Sequence, residues 1–191
     1  MEVKGENDMF QNLNIVVGIT GGIAAYKACG IVSFLKEQGA CVDVIMTKNA
    51  TEFITPLTLE VLSGNSVVVD MFKRPSQIDV KHISLAQKAD LFLIVPATAN
   101  IIGKVANGIA DDMLSTTIMA TKAPVIFAPA MNNGMYENPI VQSNIEKLKS
   151  YGYYFVEPMV GHLACGYTGK GKLAKNEEII GFVRKLVKEE K

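Results

Sequence analysis

Short apolar runs punctuate the chain at Leu13–Ile19, Cys41–Met46, Leu91–Val95, Val125–Ala128 and Tyr153–Val156. They are β-branched or aromatic and lack in/out alternation, the pattern of strands covered on both faces of a parallel sheet. Between them the period changes. In Gly22–Gln38, residues Ala24, Ala28, Ile31 and Leu35 recur at helical spacing as one buried stripe, and Gly39 ends the helix. Pro139–Ser150 opens on a proline suited to a first helical position and stops before Gly152. A last helix, Asn176–Lys188, buries Ile179, Val183, Leu186 and Val187. Residues 1–11 read as a flexible tail. Alternating strands and helices predict an α/β protein with a parallel sheet and right-handed crossovers. Ligands of such sheets bind beyond the carboxyl ends of the strands, so the loops 20–23, 47–53, 96–100 and 129–136 are where chemistry is sought.

The 191 residues suit one domain, 12–191, after the tail. With 49% hydrophobic and 20% charged residues the chain has an ordinary globular composition. Lys+Arg and Asp+Glu both total 19, a balance that argues against general nucleic-acid binding and opposes self-association little. Three cysteines (Cys29, Cys41, Cys165) without a C-x-x-C speak against a disulfide framework or zinc site. With only His82 and His162, an imidazole-built metal site is not expected either. No apolar run reaches the ~20 residues needed to span a bilayer. The polar, acidic start M-E-V-K-G-E-N-D is unlike a signal peptide, so the expected location is the cytoplasm.

Gly161–Leu173, reading G-H-L-A-C-G-Y-T-G-K-G-K-L, sets Cys165 in a glycine-rich stretch that suits a flexible loop more than a packed element. Such a thiol is a candidate reagent, though free cysteines are often simply buried. In Ile19–Lys27, Thr20-Gly21-Gly22 joins a strand to a helix. Unpaired amides there, with the Thr20 hydroxyl as a further donor, suit a single phosphate, while no Walker lysine follows. The alternative is a glycine turn that packs helix on strand. Pro96–Asn100, P-A-T-A-N, offers small residues, a hydroxyl and an amide to a flat heterocycle, or Asn100 merely caps a helix over Ile101–Asn107. Pro129–Tyr136, P-A-M-N-N-G-M-Y, offers the Asn132 and Asn133 amides to a carboxylate, with Met131, Met135 and Tyr136 as pocket wall or core filler. His82, at the start of a short helix, carries an imidazole and is a candidate acid or base, against a surface role. His162 lies three residues before Cys165 and is a second candidate, its role open.

Together these segments resemble the homo-oligomeric flavin-containing cysteine decarboxylases, over about Leu13 to Ala174. The resemblance implies a Rossmann-like, doubly wound sheet in a flavodoxin-like three-layer sandwich, with FMN as cofactor. It implies FMN contacts at Gly21, Gly22, Ile23, Thr47, Phe53, Ala97, Thr98, Ala99 and Asn100. Thr98 stands for the usual serine, and Ile101 for the usual threonine. The substrate carboxylate falls to Asn132, flanked by Met131 and Ala164. His82 and Cys165 become the catalytic pair, Cys165 on a substrate-covering flap, and Tyr136 replaces a common tryptophan. The implied reaction converts 4′-phospho-N-pantothenoylcysteine to 4′-phosphopantetheine in coenzyme A biosynthesis, by thiol oxidation, loss of CO2 and re-reduction of the enethiol. The implied assembly is a homo-oligomer, a trimer or a dodecamer of trimers, with FMN at subunit contacts. A separate phosphopantothenoylcysteine synthetase would supply substrate. Three other readings compete. A peptidyl-cysteine decarboxylase of peptide-antibiotic maturation would not need Cys165, and a flavin prenyltransferase has no reason for this flap. A non-catalytic phosphatase-regulatory relative tends to carry a long acidic extension, absent here.

Overall fold

The computed structural model describes residues 9–72, 80–162, 166 and 168–189. Strand β1 (Asn14–Ile19) leads through a 3-10 turn, Ile23–Lys27, into α1 (Ala28–Glu37) and β2 (Cys41–Met46). A second 3-10 turn (Lys48–Glu52), α2 (Pro56–Ser63) and α3 (Lys81–Lys88) precede β3 (Leu91–Ala97). Next come α4 (Ala99–Ala106), α5 (Met113–Ala120), β4 (Val125–Pro129), α6 (Asn133–Tyr136), α7 (Pro139–Ser150) and β5 (Tyr154–Phe155). A hairpin of β6 (Met159–His162) and β7 (Thr168–Lys172) and helix α8 (Asn176–Glu189) complete the chain. Strands β1 to β5 form one parallel sheet in the order β2-β1-β3-β4-β5. This is the doubly wound, three-layer α/β arrangement expected.

Both faces of the sheet are apolar, and they feed separate cores. Ile15, Val17, Ile19, Leu93 and Val95 pack beneath α1, α2 and α8. Val16, Phe92, Ile94 and Phe127 pack beneath α3, α4, α5 and α7. Successive strand residues alternate between the two cores, so a strand covered on both sides reads as one unbroken apolar run. Every residue of β3 and β4 is buried. Gly39 adopts a φ of 83° after α1, and Pro139 takes the first turn of α7. No helix among the described residues is long and apolar enough to cross a membrane.

Some expectations are corrected. The helix expected from Gly22 begins as a 3-10 turn, whose tighter winding shifts the buried phase from Ala24 to Ala25. Ala28, Ile31 and Leu35 are buried as expected. Of the expected tail, residues 1–8 lie outside the described residues. Phe10 does not behave as tail, because it is fully buried, edge-on to Phe34 at 6.3 Å and facing the Arg184 guanidinium at 5.9 Å. Residues Gly161–Leu173, expected as a loop, contain most of an antiparallel hairpin in which Gly161 pairs with Gly169 and His162 with Thr168.

Removing a fully buried ring leaves a cavity as well as a lost transfer term. Phe10→Ala is therefore expected to lose about 3–5 kcal/mol of unfolding free energy in urea titration. A loss below about 1 kcal/mol, typical of a surface position, would return Phe10 to the tail.

Candidate active site

The loops after β1, β2, β3 and β4 converge on one cavity of about 990 Å³. Its wall is built from Thr20–Ala24, Thr47–Asn49, Thr98–Ile101 and Ala130–Asn132, with His162, Gly166, Gly171, Lys172 and Leu173 closing one side from the hairpin and its exit. Three strand ends finish in threonines whose hydroxyls organise the loops. Thr20 donates to the Pro96 carbonyl oxygen at 2.7 Å and its oxygen accepts from the Thr98 amide at 3.1 Å. Its hydroxyl proton is thus held by the protein, which corrects its expected role as a phosphate donor. Thr47 caps the second 3-10 turn by accepting from the Ala50 amide. Thr98 caps α4 by accepting from the Ile101 amide. The cap is therefore Thr98 and not Asn100, which lies exposed in the first turn of α4 on the cavity wall.

The two glycines after β1 differ. A Cβ on Gly21 would lie 2.5 Å from Asn49 Cβ, so this position admits only hydrogen. A Cβ on Gly22 would meet nothing nearer than Thr98 Cγ2 at 3.7 Å. Gly22 has extended backbone (φ −157°) and lines the cavity. Its missing side chain leaves room for a ligand beside the first amides of the following turn.

On the far wall, Asn132 caps α6, its Oδ1 accepting from the Gly134 amide at 2.8 Å. The Met131 amide donates to the Gly171 carbonyl oxygen at 2.9 Å, which ties this loop to β7. Polar side chains that the motifs did not reveal add charge. Lys104 lies 2.6 Å from Asp111 and 2.9 Å from Asp112. Burial alone would lower the Lys104 ammonium, yet its two carboxylate partners carry it above its ordinary value. Burial works to raise the Asp112 carboxyl, but the Ser115 amide and Lys104 hold it below the usual carboxylate range. Lys27, Lys48 and Lys172 also line the cavity, with no ion pair among the described residues. An anionic ligand suits this wall. Among the described residues no cluster of His, Cys, Asp or Glu could hold a metal ion.

The structure gathers Gly21, Gly22, Ile23, Thr47, Thr98, Ala99, Asn100, Met131 and Asn132 at one cavity. It does not bring Phe53, Ala97 or His82 to that wall. Phe53 closes the second 3-10 turn half-exposed, Ala97 is buried at the end of β3, and His82 lies in the first turn of α3, which packs on α5. Cys165 and Ala164 lie outside the described residues. His162, whose role the sequence left open, lines the cavity. Lys104 and Asp112 belong to no motif, although D-M-L-S at Asp112–Ser115 is a capping signature that marks the start of α5.

A switch-point cavity in a doubly wound sheet, with a glycine turn and three lysines that pair with no carboxylate among the described residues, suits an anionic ligand. The chain belongs to the flavoprotein family, whose sequence profile matches residues 3–188. It is similar to the coenzyme A biosynthesis bifunctional protein CoaBC of Bacillus subtilis (strain 168), 50% identical over 182 residues, which cover 95% of this chain and 45% of that protein. It is also similar to the probable phosphopantothenoylcysteine decarboxylase of Streptococcus mutans serotype c, 46% identical over 168 residues, which cover 87% of this chain and 94% of that one. Among solved structures, a cysteine-to-serine mutant of PPC decarboxylase complexed with pantothenoylaminoethenethiol matches with a TM-score of 0.84 at 29% identity, over 93% of this chain and 100% of that chain. The chain spans less than half the length of the bifunctional relatives it matches.

Two outcomes follow from the site geometry. Gly21→Ala overpacks the turn and is expected to cost about 1–3 kcal/mol, whereas Gly22→Ala leaves the melting temperature unchanged to within about 2 °C. Equal melting losses in calorimetry would refute the distinction. Asp112, with its carboxyl held low in the folded chain, stabilises the fold above its unfolded pKa, and that contribution is lost as pH falls through the folded value. The stability gap between wild type and Asp112→Asn should therefore be full at neutral pH and vanish in acid. A gap that persists unchanged in acid would contradict the charge-based account.

Proposed function

We propose that this chain binds FMN in the switch-point cavity and decarboxylates 4′-phospho-N-pantothenoylcysteine to 4′-phosphopantetheine. The observation that carries the reading is the convergence of the glycine turn, Thr98–Asn100 and Met131–Asn132 on one cavity lined by lysines that pair with no carboxylate among the described residues. The group fits the residues present. Gly22 leaves space beside backbone amides for a phosphate, and Ala99, Asn100 and Ile23 offer small, polar-edged and apolar surfaces to a flat ring.

An α-amido carboxylate loses CO2 slowly, because the resulting carbanion has no electron sink. When bound, FMN supplies a two-electron acceptor that oxidises the substrate thiol and later returns the electrons. The chain's residues hold and protonate. Gly21–Ile23 would seat the cofactor phosphate, with Thr47, Thr98, Ala99 and Asn100 along the ring. Asn132, on the loop after β4 that lines the cavity, would orient the substrate carboxylate. Met131 and Ala164 would flank the substrate. His82 would accept the thiol proton, and Cys165 would deliver a proton to the enethiol after CO2 has left. Within one chain His82 is not on the cavity wall, which supports a homo-oligomer, a trimer or a dodecamer of trimers, in which His82 serves a neighbour's cavity. A phosphopantothenoylcysteine synthetase would supply the substrate. A cytoplasmic setting keeps the thiols of substrate and enzyme reduced.

Mass analysis of products tests the chemistry. Wild type should release CO2 and 4′-phosphopantetheine. Cys165→Ser should still release CO2 but yield a product lighter by two hydrogens, the unreduced enethiol. Normal 4′-phosphopantetheine output from that variant would exclude Cys165 from the reductive step. Gly22→Asp should fold normally but copurify with little flavin, since it sets a carboxylate where a phosphate is proposed. Protein that stays colourless and shows no affinity for added FMN would end the reading.

A further inference from the structure

Beside the cavity, a charged cluster joins three elements and takes no part in the chemistry above. Glu157, in the link between β5 and β6, accepts at Oε2 from the Tyr136 hydroxyl at 3.1 Å and from Lys170 Nζ at 2.8 Å. Lys149 Nζ lies 3.7 Å from the other carboxylate oxygen. Lys170 Nζ also sits 5.5 Å from the centre of the Tyr136 ring. Tyr136 is the last residue of α6 and only 6% exposed. One carboxylate thus binds the end of α6, the entry to the hairpin and the middle of β7. The Lys170 hydrogen bond holds the Glu157 carboxyl below its ordinary value against burial. Burial, then the Glu157 charge, pushes the Tyr136 phenol up to about 12.

The residues flanking Lys170 show what this cluster controls. A Cβ on Gly169 would lie 2.6 Å from Asn133 Cβ, and one on Gly171 would run into the Met131 carbonyl oxygen. The Met131 amide donates to Gly171 at 2.9 Å. The backbone of β7 is therefore pressed onto Met131–Asn133, the loop that carries Asn132. A slip of one residue exchanges the faces of a strand and would drive the Lys170 side chain into that loop. Lys170, held by Glu157 and lying over the Tyr136 ring, opposes the slip. An exposed ion pair adds little stability by itself, and here its contribution lies in register.

We propose that Glu157, Lys170 and Tyr136 form a latch of positioning residues. The latch fixes the register of β7 on the Met131–Asn133 loop and thereby sets how tightly Asn132 holds the substrate carboxylate. The link to substrate rests on the function proposed above.

The test uses the flavin-loaded protein and compares wild type with Glu157→Gln, Lys170→Met and the double variant Glu157→Gln/Lys170→Met. For phosphopantothenoylcysteine, the single variants should raise KM by roughly 3–10-fold with kcat within about twofold and flavin content unchanged, and the double variant should lose little more than either single one. Hydrogen exchange followed by mass spectrometry should show peptides of β7 and of Met131–Tyr136 exchanging faster together in the single variants. Unchanged exchange overturns the latch, whatever KM does. Faster exchange with an unmoved KM overturns its link to substrate. Should wild type not turn over phosphopantothenoylcysteine at all, the proposed function falls, and the exchange result alone upholds or refutes the latch.

Discussion

The hydroxyl of Thr20 joins the two strand ends between which the sheet reverses its order. From β1 the chain moves outward to β2 and then returns to lay β3 on the other side of β1. The loops after β1 and β3 therefore leave in opposite directions and open a crevice between them. Thr20, 1% exposed, spans that divergence by donating to Pro96 and accepting from Thr98. Its loss would leave the buried Pro96 carbonyl and the partly buried Thr98 amide without this partner, at a cost of about 1–3 kcal/mol. Because Thr98 in turn caps α4, the end of β1, the end of β3 and the start of α4 are one connected unit. The shape of the cavity depends on that unit.

Around it, burial and charge divide the labour. The two cores on either face of the sheet give the strands no polar positions to spare, so recognition is displaced to the carboxyl-end loops. The net charge of the whole chain is zero, yet the cavity wall is not balanced. Lys104 is outweighed by Asp111 and Asp112, while Lys27, Lys48 and Lys172 meet no carboxylate among the described residues. A low-dielectric cleft with surplus cations concentrates anions even when the molecule as a whole is neutral.

The strands were readable because a strand buried on both sides has a distinctive composition, and the motif residues met at one cavity because each follows such a strand. His82 follows none. It opens α3, and the same rule that gathers Gly22, Asn100 and Asn132 leaves it on another face. Helices α2 and α5 escaped a search for apolar stripes, being short and, in α5, buried nearly all round. Their ends were nevertheless marked, by Pro56 and Gly64 in one case and by the Asp112–Ser115 box in the other. The hairpin was misread because glycine carries two meanings. Gly169 and Gly171 suggest freedom in sequence, but in the fold they are places where the Asn133 side chain and the Met131 carbonyl come too close for any side chain. Which meaning applies depends on the partner across the gap, the Met131–Asn133 loop, and that contact is invisible to local pattern.

The hydroxyls at the strand ends explain which atoms remain for a ligand. Thr20, Thr47 and Thr98 each use the side-chain oxygen on a neighbouring backbone group. Thr98 needs only its oxygen for this role, so a hydroxyl at that position matters more than the methyl beside it, and serine would serve as well. Thr20 spends its proton on Pro96, whereas Thr47 and Thr98 spend only a lone pair, so beside their hydroxyl protons the cavity wall offers backbone amides at the starts of turns and helices, small side chains such as Ala99, and the Asn100 amide. Backbone amides held by capped turns scarcely reorganise when a charged group arrives, so a site built this way is set before its ligand enters.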